Sequence, residues 1–392
     1  MKKGWQTKTL GDVCAFDKAQ GIHRGLPYVG LEHIESHTAR FIGSGEAQPV
    51  KSSTFRFSDE HVLYGRLRPY LNKALAPDFE GHCSTEIFPL KPRPELSREY
   101  LLFWLLADET CDRINATCTG ARMPRAQMND VLGFEIPVPP LAEQQRIVGL
   151  LDEAFEGLAT AKANAEKNLQ NARALFESHL QSVFTQRGEG SQTKTLEEAC
   201  QFSNGLWKGE KPPFVKVGVI RNTNFTKEGT LDDSDIAYLD VEAKKLEKRR
   251  LQFGDIILEK SGGGPKQPVG RVALFDKQEG DFSFSNFTAA LRVLDPDELD
   301  FRFVHRFLHW TYLSGVTKGM QSNSTGIRNL DGDAYKAIDI SFPPLAEQQR
   351  IVAQLDALSQ ETQRLARLYE RKHAALEALK KSLLHQAFTR EL

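Results

Sequence analysis

Three short stretches of this chain have residue types and spacings that invite chemistry. "SGGGPKQPVG" at 261–270 sets glycines around a lysine, the composition of a loop that cradles phosphate with backbone amides. The spacing Gly-x4-Gly-Lys-Ser/Thr that such a nucleotide loop requires is absent. "EAK" at 242–244 matches a nuclease Glu-x-Lys pair. It sits in a charge run, "DVEAKKLEKRR", with no Pro-Asp partner upstream at the usual spacing, and reads as solvated surface. "EHIESH" places His33 and His37 at i and i+4, a zinc-ligand spacing. They follow an extended run and bring no third ligand pattern, so His33 reads as a satisfied polar residue. The five cysteines, Cys14, Cys83, Cys111, Cys118 and Cys200, form no CxxC pair and are odd in number; they read as reduced, mostly buried thiols of a cytoplasmic protein.

With 392 residues, 40% hydrophobic and 26% charged, the chain has material for two or three globular domains. Its net charge of -1 means that any anion-facing surface must be local. Lys2 and Lys3 precede no apolar run, so no signal peptide is expected. No segment approaches ~20 consecutive apolar residues, so no membrane span is expected either.

The elements that position any site are written twice. "PPLAEQQRIV" occurs at 139–148 and again at 343–352. "TKTLGDVCAF" (7–16) matches "TKTLEEACQF" (193–202), and the same offset of 186 carries "PYVGLEHI" (27–34) onto "PFVKVGVI" (213–220). Further on, an offset of 206 puts Trp104 on Trp310 and "TGAR" (119–122) on "TGIR" (325–328). From Pro139 to Thr185 the offset is 204 without a gap. One unit is duplicated, its second copy about 20 residues longer in the middle. The first part of each copy, 1–138 or 187–342, mixes short β-like runs such as "VLYGRL", "FEIPVP", "DIILEK" and "IDISFP" with one helix, at 97–114 or 297–313. That makes an α+β domain rather than an alternating parallel sheet. Both tryptophans sit in these apolar helices and read as core.

The second part of each copy, 139–186 or 343–392, is one long helix. Pro140 and Pro344 suit the helix entry, and Glu143 and Glu347 suit the first turn. About 44 residues give a rod of roughly 65 Å. In the second helix a 4-3 spacing selects Ile351, Leu355, Leu358, Thr362, Leu365, Tyr369, Lys372, Leu376, Leu379 and Leu383, a coiled-coil seam. The equivalent positions of the first helix run from Ile147 to His179, through Asn168 and Leu175, and are richer in alanine. The economical arrangement is an intramolecular antiparallel coiled coil with one globular head at each end, related by a pseudo-twofold axis. Separate core helices and an intermolecular coiled coil remain the alternatives. Duplex DNA is the commonest partner of matching symmetry. Residues 35–96 and 221–296 share little beyond an apolar pattern, so each head is expected to read a different short sequence.

This order of variable domain, repeated helix, variable domain, repeated helix resembles the specificity subunit of Type I restriction–modification enzymes. The resemblance covers the whole chain. It implies two target recognition domains (1–138 and 187–342), each reading one half of a bipartite asymmetric site in double-stranded DNA, with the helices (139–186 and 343–392) fixing the gap between halves. It implies a non-catalytic subunit that recruits two modification subunits, which methylate adenine, and restriction/translocase subunits. No cofactor is expected here; S-adenosylmethionine, ATP and Mg belong to the partners. The absence of an Asn/Asp-Pro-Pro-aromatic methylation motif agrees with that division.

Phosphate contacts come from Lys, Arg and glycine-rich backbone, and base contacts from Arg, Lys, Asn and Gln on loops. In the first head "GRLRPYLNK" offers Arg66, Arg68, Tyr70, Asn72 and Lys73, and "TGARMPRAQ" offers Arg122, Arg125 and Gln127. In the second, "EKSGGGPKQPVGR" offers Lys260, Ser261, Lys266, Gln267 and Arg271, and "SNSTGIRN" offers Asn323, Ser324, Thr325 and Arg328. A solvated hairpin is the plain alternative for each. Arg122 and Arg328, being shared by both copies, read as phosphate clamps or as structural residues. The shared "EQQR" of the helix starts, Glu143, Gln144, Gln145 and Arg146 with Glu347, Gln348, Gln349 and Arg350, is where the resemblance places the two modification subunits; helix-start chemistry alone also explains it. A DNA-independent scaffold joining two proteins, and a recognition subunit whose partner fuses methylation and cleavage, are the rival readings.

Overall fold

A computed structural model describes residues 4–48, 50–186, 190–206, 209–264, 267–324, 327–389 and 391–392. The chain forms two compact units, Met1–Lys167 with Tyr369–Leu392, and Asn168–Leu368. The division falls inside the long helices α5 (Leu141–Thr185) and α10 (Leu345–Thr389).

In the first unit β1 (Gln6–Thr9) pairs antiparallel with β10 (Glu135–Val138). The short α1 (Leu10–Val13) leads into a sheet of order β2-β9-β6-β7, made of β2 (Cys14–Phe16), β6 (Val62–Gly65), β7 (Ala74–Leu75) and β9 (Ile87–Pro92). A second sheet holds β3 (Gln20–Gly21), β5 (Thr54–Phe57), β8 (Gly81–Cys83) and β4 (Tyr28–Val29) in that order. β6 is buried on both faces, which explains its unbroken apolar run. Alternate side chains point to opposite sides. Val62 and Tyr64 join Phe88 and Leu90 in the core under α2 (Arg98–Leu106), while Leu63 joins Val29, Ile34 and Phe57. α3 (Asp108–Ala116) and α4 (Met128–Leu132) complete the head. The single helix expected at 97–114 is broken at Ala107, whose ψ of 134 is extended.

The second unit repeats this plan. β11 (Gln192–Thr195) pairs with β22 (Asp339–Phe342), α6 (Leu196–Ala199) follows β11, and β12 (Cys200–Asn204), β19 (Thr288–Val293), β15 (Ile256–Glu259) and β17 (Val272–Leu274) form the sheet. Ile256 and Leu258 face the core under α8 (Phe301–Leu313), and Ile257 faces the other way. The remaining strands differ. β13 (Phe214–Ile220) lies between β14 (Ala237–Glu242) and β18 (Phe282–Phe284), and an added sheet joins β16 (Ser261–Gly263), β21 (Ile327–Leu330) and β20 (Gln321–Ser324). α7 (Ala243–Glu247) and α9 (Gly332–Lys336) are short. Lys244 of "EAK" is exposed on α7, and among the described residues no group of three His, Cys, Asp or Glu could hold a metal. His33 accepts from the Gly30 amide at 3.1 Å, a local turn contact.

Capping shows where the copies align, and it corrects two offsets. Ser97 caps α2 and Asp300 caps α8, a step of 203, so Trp104 corresponds to Phe307 rather than Trp310. Trp104 is buried; Trp310 is only partly buried and packs beside Phe184. The turns Leu31–His33 and Asn222–Asn224 are equivalent at a step of 191, not 186. In both, the third residue, His33 or Asn224, accepts from the amide three positions back.

Within each unit the long helices meet in opposite directions. In the first, Arg146 on α5 donates to the Leu392 carbonyl at 3.1 Å, and Lys162 pairs with Glu377 at 3.1 Å, so one number rises as the other falls. In the second, Phe184 near the end of α5 shares a core with Ile351 and Val352 near the start of α10. The 4-3 seam is largely kept: in each helix eight of the ten expected positions are buried or half-buried. Asn168, Leu175, Lys372 and Leu379 are the exposed exceptions. A seam of 3.5 residues per turn drifts slowly around a helix of 3.6.

Candidate nucleic-acid interface

The loop between β6 and β7 (66–73) is stitched to the loop 117–127 by backbone. The Arg66 amide donates to the Glu86 carbonyl at 2.8 Å, and the Arg66 carbonyl accepts from Ala126 at 2.9 Å. The Arg66 guanidinium lies 5.3 Å from the Phe88 ring centre, with Nε buried. Arg68 takes the left-handed conformation (φ +51), and its amide donates to the Pro124 carbonyl at 2.8 Å. That backbone turn leaves the Arg68 side chain and Tyr70 exposed. Arg122 is also exposed, in the turn after Gly120. Arg125 is held by Glu86 at 2.8–3.0 Å, and Gln127 donates to the Thr119 hydroxyl at 2.8 Å.

Asn72 and Lys73 turn the other way. Asn72 is fully buried, and its Nδ2 donates to the Leu106 carbonyl at 3.0 Å. Lys73 Nζ donates to the Leu31 carbonyl at 2.6 Å. The expectation that both face outward is corrected: the tight turn directs them into the head, where they satisfy main-chain carbonyls.

In the second unit Lys260 occupies the place of Arg66. Its amide donates to Phe287 at 3.0 Å and its carbonyl accepts from Leu330 at 2.8 Å. Burial pushes the Lys260 ammonium below the usual lysine range, and Nζ donates to Asn204 Oδ1 at 2.8 Å. Ser261 donates to Asn329 at 2.6 Å. Gly262 sits at φ +104, and a Cβ there would lie 3.0 Å from Asn222 Nδ2, so the loop needs glycine at this approach. Gln267 is exposed, and Arg328 donates to Gln321 Oε1 at 3.4 Å from strand β21. Arg271, expected to face outward, is a buried clamp instead. Its guanidinium is 17% exposed and grips Glu259, itself 2% exposed, at 2.8 and 2.9 Å, and it also donates to the Asn222 carbonyl at 3.0 Å. A buried carboxylate needs that charge beside it. Lys266 and Thr325 lie outside the described residues, as do the side chains of Asn323 and Ser324. Arg328 opposes Asn323 within a strand pair, whereas Arg122 lies in a turn, so these two arginines occupy different settings.

The helix-start residues separate cleanly. Gln144 and Gln348 are fully buried, which corrects the docking assignment of the whole "EQQR" at these two positions. Gln144 accepts from the Ser97 amide at 2.7 Å and donates to the Glu95 and Pro139 carbonyls at 2.9 and 2.8 Å. Gln348 accepts from Asp300 and donates to Glu298 and Pro343 at 2.9, 2.9 and 2.8 Å. Each locks the long helix to the cap of the head's helix. Gln145 and Gln349 are exposed, and Glu143–Arg146 and Glu347–Arg350 are surface ion pairs.

Two loop clusters on one backbone frame, with different outward side chains, suit the reading of two different polymers or two parts of one. The model of the "Type I restriction modification DNA specificity domain" matches residues 2–169 and, a second time, 188–370. This chain belongs to that family. It is 26% identical over 208 residues to the specificity subunit of the type I restriction enzyme EcoDI of Escherichia coli, across 53% of this chain and 43% of that one. It is 23% identical over 334 residues to the StySPI specificity subunit of Salmonella potsdam, across 79% and 69%. The match thus spans under half the length of the EcoDI subunit. Among solved structures, the HsdS subunit of Thermoanaerobacter tengcongensis has a TM-score of 0.64 at 22% identity, over 100% of this chain and 98% of that one. A chain from a structure on complex assembly and conformational transition of the type I R-M system reaches 0.78 at 22% identity, over 100% and 99%. Both show the same fold for this type I restriction–modification specificity chain.

Proposed function

We propose that this chain reads a bipartite, asymmetric site in double-stranded DNA and performs no catalysis itself. The cluster of Arg68, Tyr70 and Arg122 reads one half, and the cluster of Lys260, Gln267 and Arg328 reads the other. The target recognition domains are 1–138 and 187–342. The helices 139–186 and 343–392 set the gap between halves. Exposed Gln145, Arg146, Gln349 and Arg350 are the docking points of two modification subunits, which carry S-adenosylmethionine; restriction/translocase subunits carry ATP and Mg. The cytoplasm is the proposed compartment; among the described residues no helix is long and apolar enough to cross a membrane.

One observation supports this reading above the others. The backbone clamp that ties Arg66 to Glu86 and Ala126 recurs at Lys260 with Phe287 and Leu330, while the side chains around it differ. Scaffold is kept and readout is changed. The test is binding of the full chain to duplex DNA across salt concentrations. Affinity is expected to fall steeply as salt rises, because phosphate-bound cations are released on binding. Binding that is absent, or indifferent to salt, would favour a protein scaffold instead.

A further inference from the structure

Each head contains a hairpin outside its loop cluster. In the first unit it is closed by the bridge between Ile34 and Phe41. Its tip holds two non-glycine residues in the left-handed region, His37 at φ +62 and Ala39 at φ +60. That conformation is uphill for both and persists only where the surroundings enforce it. The enforcing contacts lead in two directions. The His37 amide donates to the Asn72 carbonyl at 3.0 Å, and Asn72, also left-handed at φ +41, ends the loop that carries Arg68 and Tyr70. The His37 carbonyl accepts from Lys380 Nζ of helix α10 at 2.8 Å. Lys380 is half-buried, with its ammonium 5.2 Å from the Phe155 ring centre. The tip therefore bridges a long helix and the foot of an outward-facing loop.

In the second unit the corresponding hairpin is held by other contacts. Its hairpin is closed by Phe225 and Leu231, and its tip is Gly229 at φ +79. The Gly229 carbonyl accepts from the amide of Leu274, on the strand that follows the glycine-rich loop, at 3.1 Å. It also accepts from His305 Nε2 of α8 at 2.8 Å. The position equivalent to Lys380 in the 204-residue repeat is Phe176, which cannot donate. Non-equivalent residues on non-equivalent helices thus hold the tips of corresponding hairpins, in each case by donating to a main-chain carbonyl. A tip anchored twice by unrelated donors points to a shared task.

We infer that the hairpin tip is a strut that fixes the pose of the adjoining DNA-reading loop, and that Lys380 and His305 are its positioning residues, one per head. The inference rests on the proposed DNA reading of those loops. Neither residue touches DNA in this role. Each acts through a main-chain carbonyl, so removing the donor frees the tip to relax and blurs the loop it braces.

The probe is a duplex selected by the full-length wild-type chain from a pool of random sequence, with two further versions in which one half or the other is scrambled. The half weakened by Arg68→Ala identifies the first head's share. Lys380→Met keeps the stem over Phe155 and loses the donor. It is expected to lose about tenfold of the discrimination against scrambling in the first half, with the second half unchanged. Lys380→Arg restores the donor and should restore discrimination. His305→Leu should do the reverse, blurring the second half alone, with His305→Gln retaining most of it. Melting curves of each variant separate loss of fold from loss of pose. Wild-type discrimination at both halves in Lys380→Met, or equal loss at both, overturns the strut. A wild-type chain that selects no duplex overturns the DNA reading, and the strut with it.

Discussion

The same residue type does opposite jobs in this chain, and surroundings decide which. Arg68 and Arg271 were both expected to face DNA. Arg68 does face outward, while Arg271 is spent on buried Glu259. Arg271→Ala should therefore destabilise the second head by about 3–5 kcal/mol, because it strands a buried carboxylate. Arg68→Ala should leave the unfolding midpoint unchanged and weaken only DNA binding; chemical denaturation distinguishes the two. Gln144 makes the point for neutral groups. Its repetition in "EQQR" was visible in the sequence, but nothing in the residue type says that its amide bridges three main-chain groups. Gln144→Ala is expected to cost about 1–3 kcal/mol, since it leaves buried backbone groups unpaired. Gln145→Ala, one residue away and exposed, should cost nothing measurable in the same assay.

At the scale of elements, the long helices were legible to within three residues because their signals are local: a proline at entry, acid in the first turn, no proline for over forty residues. Their packing face was legible too, except at Asn168, Leu175, Lys372 and Leu379, where a 3.5-residue seam drifts from a 3.6-residue helix and points to solvent. Leu151 is buried at 1% exposure and Leu175 stands at 63%. Leu151→Ala should cost about 2–5 kcal/mol, and Leu175→Ala almost nothing, when unfolding is followed by circular dichroism. Helix α8 carries a second testable property. His309 is buried beside Arg306, and burial first, then that guanidinium, pulls its pKa down to about 4. The folded state thus stays unprotonated where the unfolded chain, near 6.5, takes up a proton. Stability is full above pH 6.5 and falls as pH drops toward 4, where the unfolded state binds more protons. His305, stacked 6.3 Å away and also held well below the usual histidine range by burial, adds to the slope with the same sign. His309→Gln should therefore reduce that slope without abolishing it in melting curves recorded across this range. The break at Ala107 was missed for a different reason: neither proline nor glycine marks it between residues 97 and 114.

At the scale of the whole molecule, the duplication was the most legible feature and its details the least. Identical ten-residue runs need no structure to be seen. The offset of 186 holds through the first strands and helix of each head, but the turn that follows needs 191, and the α2/α8 pair needs 203 rather than 206, because backbone hydrogen bonds survive where side chains diverge. The exposed side chains around the two clamps could only be guessed, since loop direction depends on left-handed turns at Arg68 and Gly262. Each loop cluster is proposed to read one half of a divided site. Selection from random duplexes tests it most directly, using wild-type chain, Arg68→Ala/Arg122→Ala and Lys260→Ala/Gln267→Ala. Two short motifs at a fixed gap should emerge from the wild type, with each double variant erasing one motif and sparing the other. A single continuous motif, or equal decay of both halves in either variant, would contradict it.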